Sequence, residues 1–179
     1  MVGEVELLRL NSVLEHIFNS GVRAGLSSVD LVMLCWAASE GKGGFNFDSD
    51  FHRQVEEVFE SKPEYVKVFE TLHAVNHGFS KDEFKRQLAT RVGHFQILYG
   101  SAVQVGYEGC MERLSFLGEN VKWTINYLRS KGVDMMTPLD KIVRIYFAGS
   151  PDATPAPVYT ERIERFQKAL THNPRCSED

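Results

Sequence analysis

The run Val29–Ala38, VDLVMLCWAA, constrains this chain more than any other segment. Beyond Asp30 it is apolar on every face. A helix apolar all round is normally buried at the centre of a domain. Ser27 and Asp30 form a Ser-x-x-Asp start for it. It ends in Ser39-Glu40-Gly41, and residues 41–50, GKGGFNFDSD, read as a loop. A carboxyl group thus stands at the end of a helix that must be buried. Desolvation penalises its charged form, and so does the negative end of the helix dipole. Both effects favour the neutral acid, and a carboxyl that keeps its proton near neutral pH is what a general acid needs. The glycines after Glu40 leave backbone room for a ligand. The competing reading is a surface glutamate where the helix meets solvent.

Other helices surround that one. Residues 4–20 place Leu7, Leu10, Val13, Leu14, Ile17 and Phe18 at helical spacing, with Gly21 and Gly25 bracketing a connection. Residues 51–76 predict one or two amphipathic helices, interrupted near Lys62-Pro63. Ser80 and Glu83 cap a helix toward Ala89. Short helices follow at 101–106 and 109–117, then a clearer one at 119–131 with Gly132 as its stop. Thr137-Pro138 reads as a cap with proline at the first helical position, opening a helix to Ala148 that stops at Gly149. Residues 150–157 form an extended loop before a last helix from Val158 to Leu170. A small hairpin fits 41–50 or 91–99. The expectation is one mainly α domain over residues 1–170, with residues 1–27 as a helical extension and 171–179 as a polar tail.

Several function classes are disfavoured. A formal net charge of −4 argues against a general nucleic-acid surface. Cys35, Cys110 and Cys176 are too few and too widely spaced for a disulfide framework or a zinc site. Cys35 and Cys110 are expected in the core. The histidines, at 16, 52, 73, 77, 94 and 172, are scattered. His73 and His77 share a helical spacing without a third ligand and read as surface residues. No stretch reaches the length of a membrane span. Glu4 and Glu6 stand where a signal peptide would be basic. The chain is therefore expected either to work in the cytoplasm or to leave it by a route the sequence does not encode.

Four blocks carry a family resemblance. LVMLCWAASEGKGGFNFD resembles the segment of soluble lytic transglycosylases and goose-type lysozymes in which an apolar helix delivers the catalytic glutamate, with Gly41 where the family carries serine. TRVGHFQILYGSAVQVGY resembles their Gly-Leu-Met-Gln motif. Gly93, Phe95 and Gln96 hold the glycine, methionine and glutamine places, and His94 the leucine place. GENVKWTINYLRSKG resembles their Asn-Ile…Tyr-Leu helix through Asn120, Val121, Tyr127 and Leu128. IYFAGSP followed by VYTERIERFQKAL resembles the Ala-Tyr-Asn-x-Gly motif and its closing helix. Tyr146 and Gly149 match there, and Phe147 replaces the asparagine. The blocks stand in the family's order over roughly residues 28–170. The long segment between Glu40 and Gln96 is more like phage and bacterial N-acetylmuramidases.

The resemblance implies a lysozyme-like, two-lobed helical domain that cleaves the glycan strands of peptidoglycan without a cofactor. Glu40 would protonate the departing glycosidic oxygen. In a transglycosylase the sugar's own 6-hydroxyl then closes a 1,6-anhydro ring; in a hydrolase water attacks. An inverting hydrolase needs a second carboxylate about 6.5–9.5 Å away. Asp48 and Asp50 are the candidates, although a capping or loop-solubilising role suits them better. Tyr146 is expected to hydrogen-bond Glu40 or the sugar, and Gln96 an N-acetyl group or backbone. Phe95, Tyr99 and Tyr107 either supply faces for sugar rings or pack around a glycine turn. Trp36 and Trp123 are expected in the core. A phage lysin or a virion-associated protein fits these features, cytoplasmic before release to the cell wall. The rival is a lysozyme-like virion or secretion-system component that binds glycan or protein without cutting.

Overall fold

The computed structural model describes residues 2–75 and 79–171, and the side chains of 12–75 and 79–169. His77, His172, Cys176 and the expected polar tail from 172 lie outside the described residues. The fold is mainly α, with a small three-stranded antiparallel sheet. Among the described residues, no helix is long and apolar enough to cross a membrane. The chain divides into two compact units, one of residues up to Gly41 and from Lys131 onward, the other Lys42–Ser130.

The first unit holds α1 (Val2–Ala24), α2 (Ser28–Ser39), α9 (Leu139–Ala148) and α10 (Pro157–Thr171). Both α1 and α10 pack on α2. Leu31, Met33, Leu34, Cys35, Ala37 and Ala38 of α2 are buried, as an all-round apolar helix requires. Its start is the expected cap: the Ser27 hydroxyl accepts from the Asp30 amide at 3.3 Å. Helix α1 differs from expectation by running through Gly21. A Cβ there would meet Ser28 Oγ at 2.7 Å. Without one, the Ser28 hydroxyl donates to the Phe18 carbonyl at 2.8 Å and ties the start of α2 to α1. Gly21 is a packing contact, and the turn comes at Gly25 with φ 64°. Phe18, expected inward, is exposed. Pro138 stands just before α9 as its N-cap and not inside its first turn, while the Thr137 hydroxyl donates to the Asp134 carboxylate at 2.8 Å. Thr137 thus closes the preceding turn.

The second unit holds β1 (Phe45–Phe47), α3 (Ser49–Val58), α4 (Pro63–Val75), α5 (Lys81–Leu88), β2 (Thr90–Val92), β3 (Ile97–Leu98), α6 (Tyr99–Gln104), α7 (Met111–Leu114) and α8 (Leu117–Ser130). The two places where a hairpin was expected join in one sheet, ordered β1-β2-β3. Phe45 faces Val92 and Phe47 faces Thr90, while Val92 faces Ile97. Helix α5 opens with the expected capping box of Ser80 and Glu83. An aromatic chain fills the core, from Phe59 edge-on to Phe84, to Tyr99, to Tyr107. Trp123 continues it, edge-on to Tyr107 and only half-buried, its indole N–H donating to Glu119 at 2.9 Å. Cys35 is buried as expected, and burial pushes its thiol up to about 12. Cys110 is exposed, because it precedes the short α7 in a surface turn.

Candidate functional site

Glu40 closes α2. It takes the left-handed conformation, φ 52° and ψ 31°, and its amide donates to the Trp36 carbonyl at 2.8 Å. Gly41 continues left-handed at φ 77°, a conformation that suits glycine and would strain the serine of the family pattern. The Glu40 side chain is 29% exposed. It is not the isolated carboxyl that the sequence suggested. Arg165 Nη2 stands 3.3 Å from Oε1, and Arg162 Nε 3.7 Å from the same oxygen. Both arginines come from α10, whose Phe166 ring packs on Trp36 at 5.1 Å between centroids. Trp36 is half-buried by this contact. Sequence analysis missed these arginines. No spacing signal links residues 122 and 125 apart, and a basic helix face ordinarily reads as solvated.

Gln96 lies in the other unit, in the turn between β2 and β3. Its φ is also 52°. Its amide donates to Gly93 O at 3.2 Å and closes the turn. Its side-chain Nε2 donates to Gly93 O at 2.7 Å and Gly44 O at 3.2 Å, which joins this turn to the segment entering β1. Only 5% of Gln96 is exposed, and its buried Oε1 has no hydrogen-bond partner among the described residues.

Asn120 of α8 secures the same turn from beneath. Its Oδ1 accepts from the Phe95 amide at 2.9 Å, and its Nδ2 donates to the carbonyls of Val92 at 2.8 Å and Leu114 at 3.2 Å. Gly93, at φ 74°, makes room for it: a Cβ there would stand 2.5 Å from Asn120 Cγ. Two of the resembling blocks therefore meet as one anchored turn. His94 lies half-buried in that turn near Gly43, and burial lowers its pKa.

The aromatic candidates of this unit are core residues. Phe95, Tyr99 and Tyr107 are buried, so their ring faces are taken by packing and not offered to sugars. The Tyr99 hydroxyl donates to Gly109 O at 2.8 Å, and that of Tyr107 to Cys110 O at 2.9 Å. The acidic candidates have separate fates. Asp48 caps α3, its Oδ1 accepting from the Phe51 amide at 2.9 Å, while Oδ2 takes Arg91 Nη2 at 2.8 Å and Nε at 3.2 Å. Burial alone would raise its pKa, but the Phe51 amide and Arg91 together hold it below the usual value. Asp50 is 83% exposed and 3.4 Å from Arg53. In the first unit, Tyr146 of α9 is 8% exposed and edge-on to Phe147 at 5.1 Å. Phe147, in the asparagine place, stacks flat on Tyr159 with centroids 3.8 Å apart.

No protein-family model, no curated protein and no solved structure matches this chain.

Proposed function

We propose that this chain is a peptidoglycan-cleaving glycosidase acting on the bond between N-acetylmuramic acid and N-acetylglucosamine, with Glu40 as its general acid. One observation carries the reading. Among the described residues, the non-glycine residues with positive φ are Glu40 and Gln96. They occupy the catalytic-glutamate and motif-glutamine places of the resemblance. Left-handed backbone outside glycine costs on the order of 1–2 kcal/mol, and such strain clusters at functional sites. The Glu40 carboxyl is partly exposed and therefore open to a ligand. Gln96 spends its side-chain nitrogen on its own turn, so the chemistry rests on Glu40.

Glu40 protonates the leaving oxygen, and the bond breaks with an oxocarbenium-like centre at the muramic acid carbon. What captures that centre distinguishes the two outcomes. Asp48, occupied by Arg91 and an amide, is a weak base, and Asp50 is a solvated surface group. This favours capture by the sugar's own 6-hydroxyl, with Glu40 taking its proton, over an inverting attack by water that needs a second carboxylate.

A second reading, a glycan-binding component without turnover, is favoured by the guanidiniums already on Glu40 Oε1. Incubation with purified peptidoglycan separates the two. The expected result is soluble fragments with anhydro ends, one water lighter than reducing ends by mass spectrometry. Glu40→Gln should fold normally and clear cell walls about 100-fold more slowly, the scale lost with a general acid. Equal clearing by the variant removes Glu40 from the chemistry. Binding with no fragments from the parent chain establishes the second reading.

A further inference from the structure

The end of α2 is held by a side chain from far along the sequence. Arg162 Nη1 donates to Ala37 O at 2.9 Å and to Ala38 O at 3.3 Å. These are carbonyls of the last turn, which lack partners within a helix. The same guanidinium turns its Nε toward Glu40 Oε1 at 3.7 Å. That Nε is buried and has no hydrogen-bond partner among the described residues. A buried donor left open beside a carboxylate is costly unless the carboxylate comes to it.

Resting on the reading of Glu40 as the acid, we propose that Arg162 is its positioning residue. One planar guanidinium fixes the backbone turn that launches Glu40 and sets its positive charge 3.7 Å from Oε1. A guanidinium offers N–H groups in a rigid planar fork, so gripping two carbonyls through Nη1 limits where Nε points. This over-determines the left-handed turn at Glu40, which is strained for a residue with a Cβ. With both guanidiniums on the side of Oε1, Oε2 is the oxygen that gives up the proton. Arg165 donates to Oε1 at 3.3 Å, but it is Arg162 that also holds the backbone from which Glu40 springs. The Arg162 side chain is 25% exposed and bonded to backbone, whereas Arg165 is 65% exposed and touches the carboxylate alone.

A simple helix cap would have the same backbone bonds, so the test must read the carboxyl itself. The full chain is labelled with 13C at glutamate carboxyls, and the Glu40 signal is assigned by its loss in Glu40→Gln. Arg162→Gln should move that signal, and Arg165→Gln should move it less. On peptidoglycan, Arg162→Gln should lower kcat about tenfold or more with KM within about twofold, as expected when a transition-state contact is lost. Arg162→Lys should recover part of kcat, because it restores the charge without the fork, and it also serves if the glutamine variant does not fold. In a Glu40→Gln background, Arg162→Gln should cause no further loss. A Glu40 signal that stays in place while amides of α2 shift makes Arg162 a cap only and overturns the proposal. So does a rise in KM at constant kcat. If the parent chain cleaves nothing, the glycosidase reading fails, and the carboxyl signal alone decides whether Arg162 orients Glu40.

Discussion

At Glu40 the chain turns left-handed with φ 52° on a half-exposed side chain held by arginines, whereas at Gln96 the same φ occurs on a side chain 5% exposed and held by backbone. The two turns solve one steric problem in opposite ways. At Gln96, four short hydrogen bonds from Asn120 and Gln96 itself, at 2.7–2.9 Å or up to 3.2 Å, converge on the strained segment. The side chain is spent on that network. At Glu40 the backbone is held by the Trp36 carbonyl and by Arg162 gripping the preceding carbonyls, so the carboxyl remains available. Left-handed strain thus marks both turns, one open to chemistry and one closed into the architecture. What the side chain is left free to do separates them.

The strongest way to break this comparison is Gly93→Ala. The added Cβ falls on Asn120, which cannot swing away without giving up its bonds to Phe95, Val92 and Leu114. It also forces a Cβ into φ 74°. The expected loss is more than about 3 kcal/mol in urea unfolding of the whole chain. A loss below about 1 kcal/mol would mean that the turn yields easily and that its network does not over-determine it.

A matched pair of glycine substitutions sharpens the contrast, because its two arms should differ in sign. Glu40→Gly relieves the left-handed strain and gives up only partly exposed charge contacts, which are each worth about 0–1 kcal/mol. Stability should hold or rise by up to about 1 kcal/mol while activity is lost. Gln96→Gly relieves the same strain but removes the bonds to Gly93 O and Gly44 O and empties a buried site. Stability should fall by about 1–2 kcal/mol. Two changes of the same sign in thermal melting would contradict the division of roles.

Much of the fold was legible because it rests on local rules. Ser27 and Ser80 cap where their sequences say, and Gly132 and Gly149 stop helices at φ 76° and 79°. The buried character of α2 followed from its lack of a polar face. Gly21 misled because glycine marks a turn and a close helix contact equally well in one dimension. The site was less legible. The position of Glu40 at the end of α2 was legible, but its charge partners lie 122 and 125 residues away and leave no periodic trace. Phe95, Tyr99 and Tyr107 were ambiguous for a related reason. An aromatic beside a glycine turn is compatible with a ring face or a core, and here tertiary packing around Phe84 and Trp123 decides for the core.

The smallest expected effect concerns the other arginine–carboxylate pair, and it tests whether charge holds the second unit as it holds the Glu40 turn. Asp48 Oδ2 takes two N–H groups of Arg91, and its own amide donates to Ala89 O at 2.8 Å, so the group ties the start of α3 to β2. Its folded pKa lies below its ordinary value of 3.8. A depressed carboxyl contributes stability that is fully present above the unfolded value and is lost as pH falls through the folded one. Asp48→Asn keeps an oxygen to cap α3 but no charge for Arg91. At pH 7 the variant should be less stable than the parent by no more than about 1 kcal/mol, given that both side chains remain about one-fifth exposed. That gap should narrow steadily below about pH 4 and vanish once Asp48 is protonated in both states. Unfolding curves at stepwise pH measure it directly. A gap that stays constant down to pH 2 would assign the stabilisation to the cap and its packing, and would leave Glu40 as the turn in this chain where charge holds the backbone.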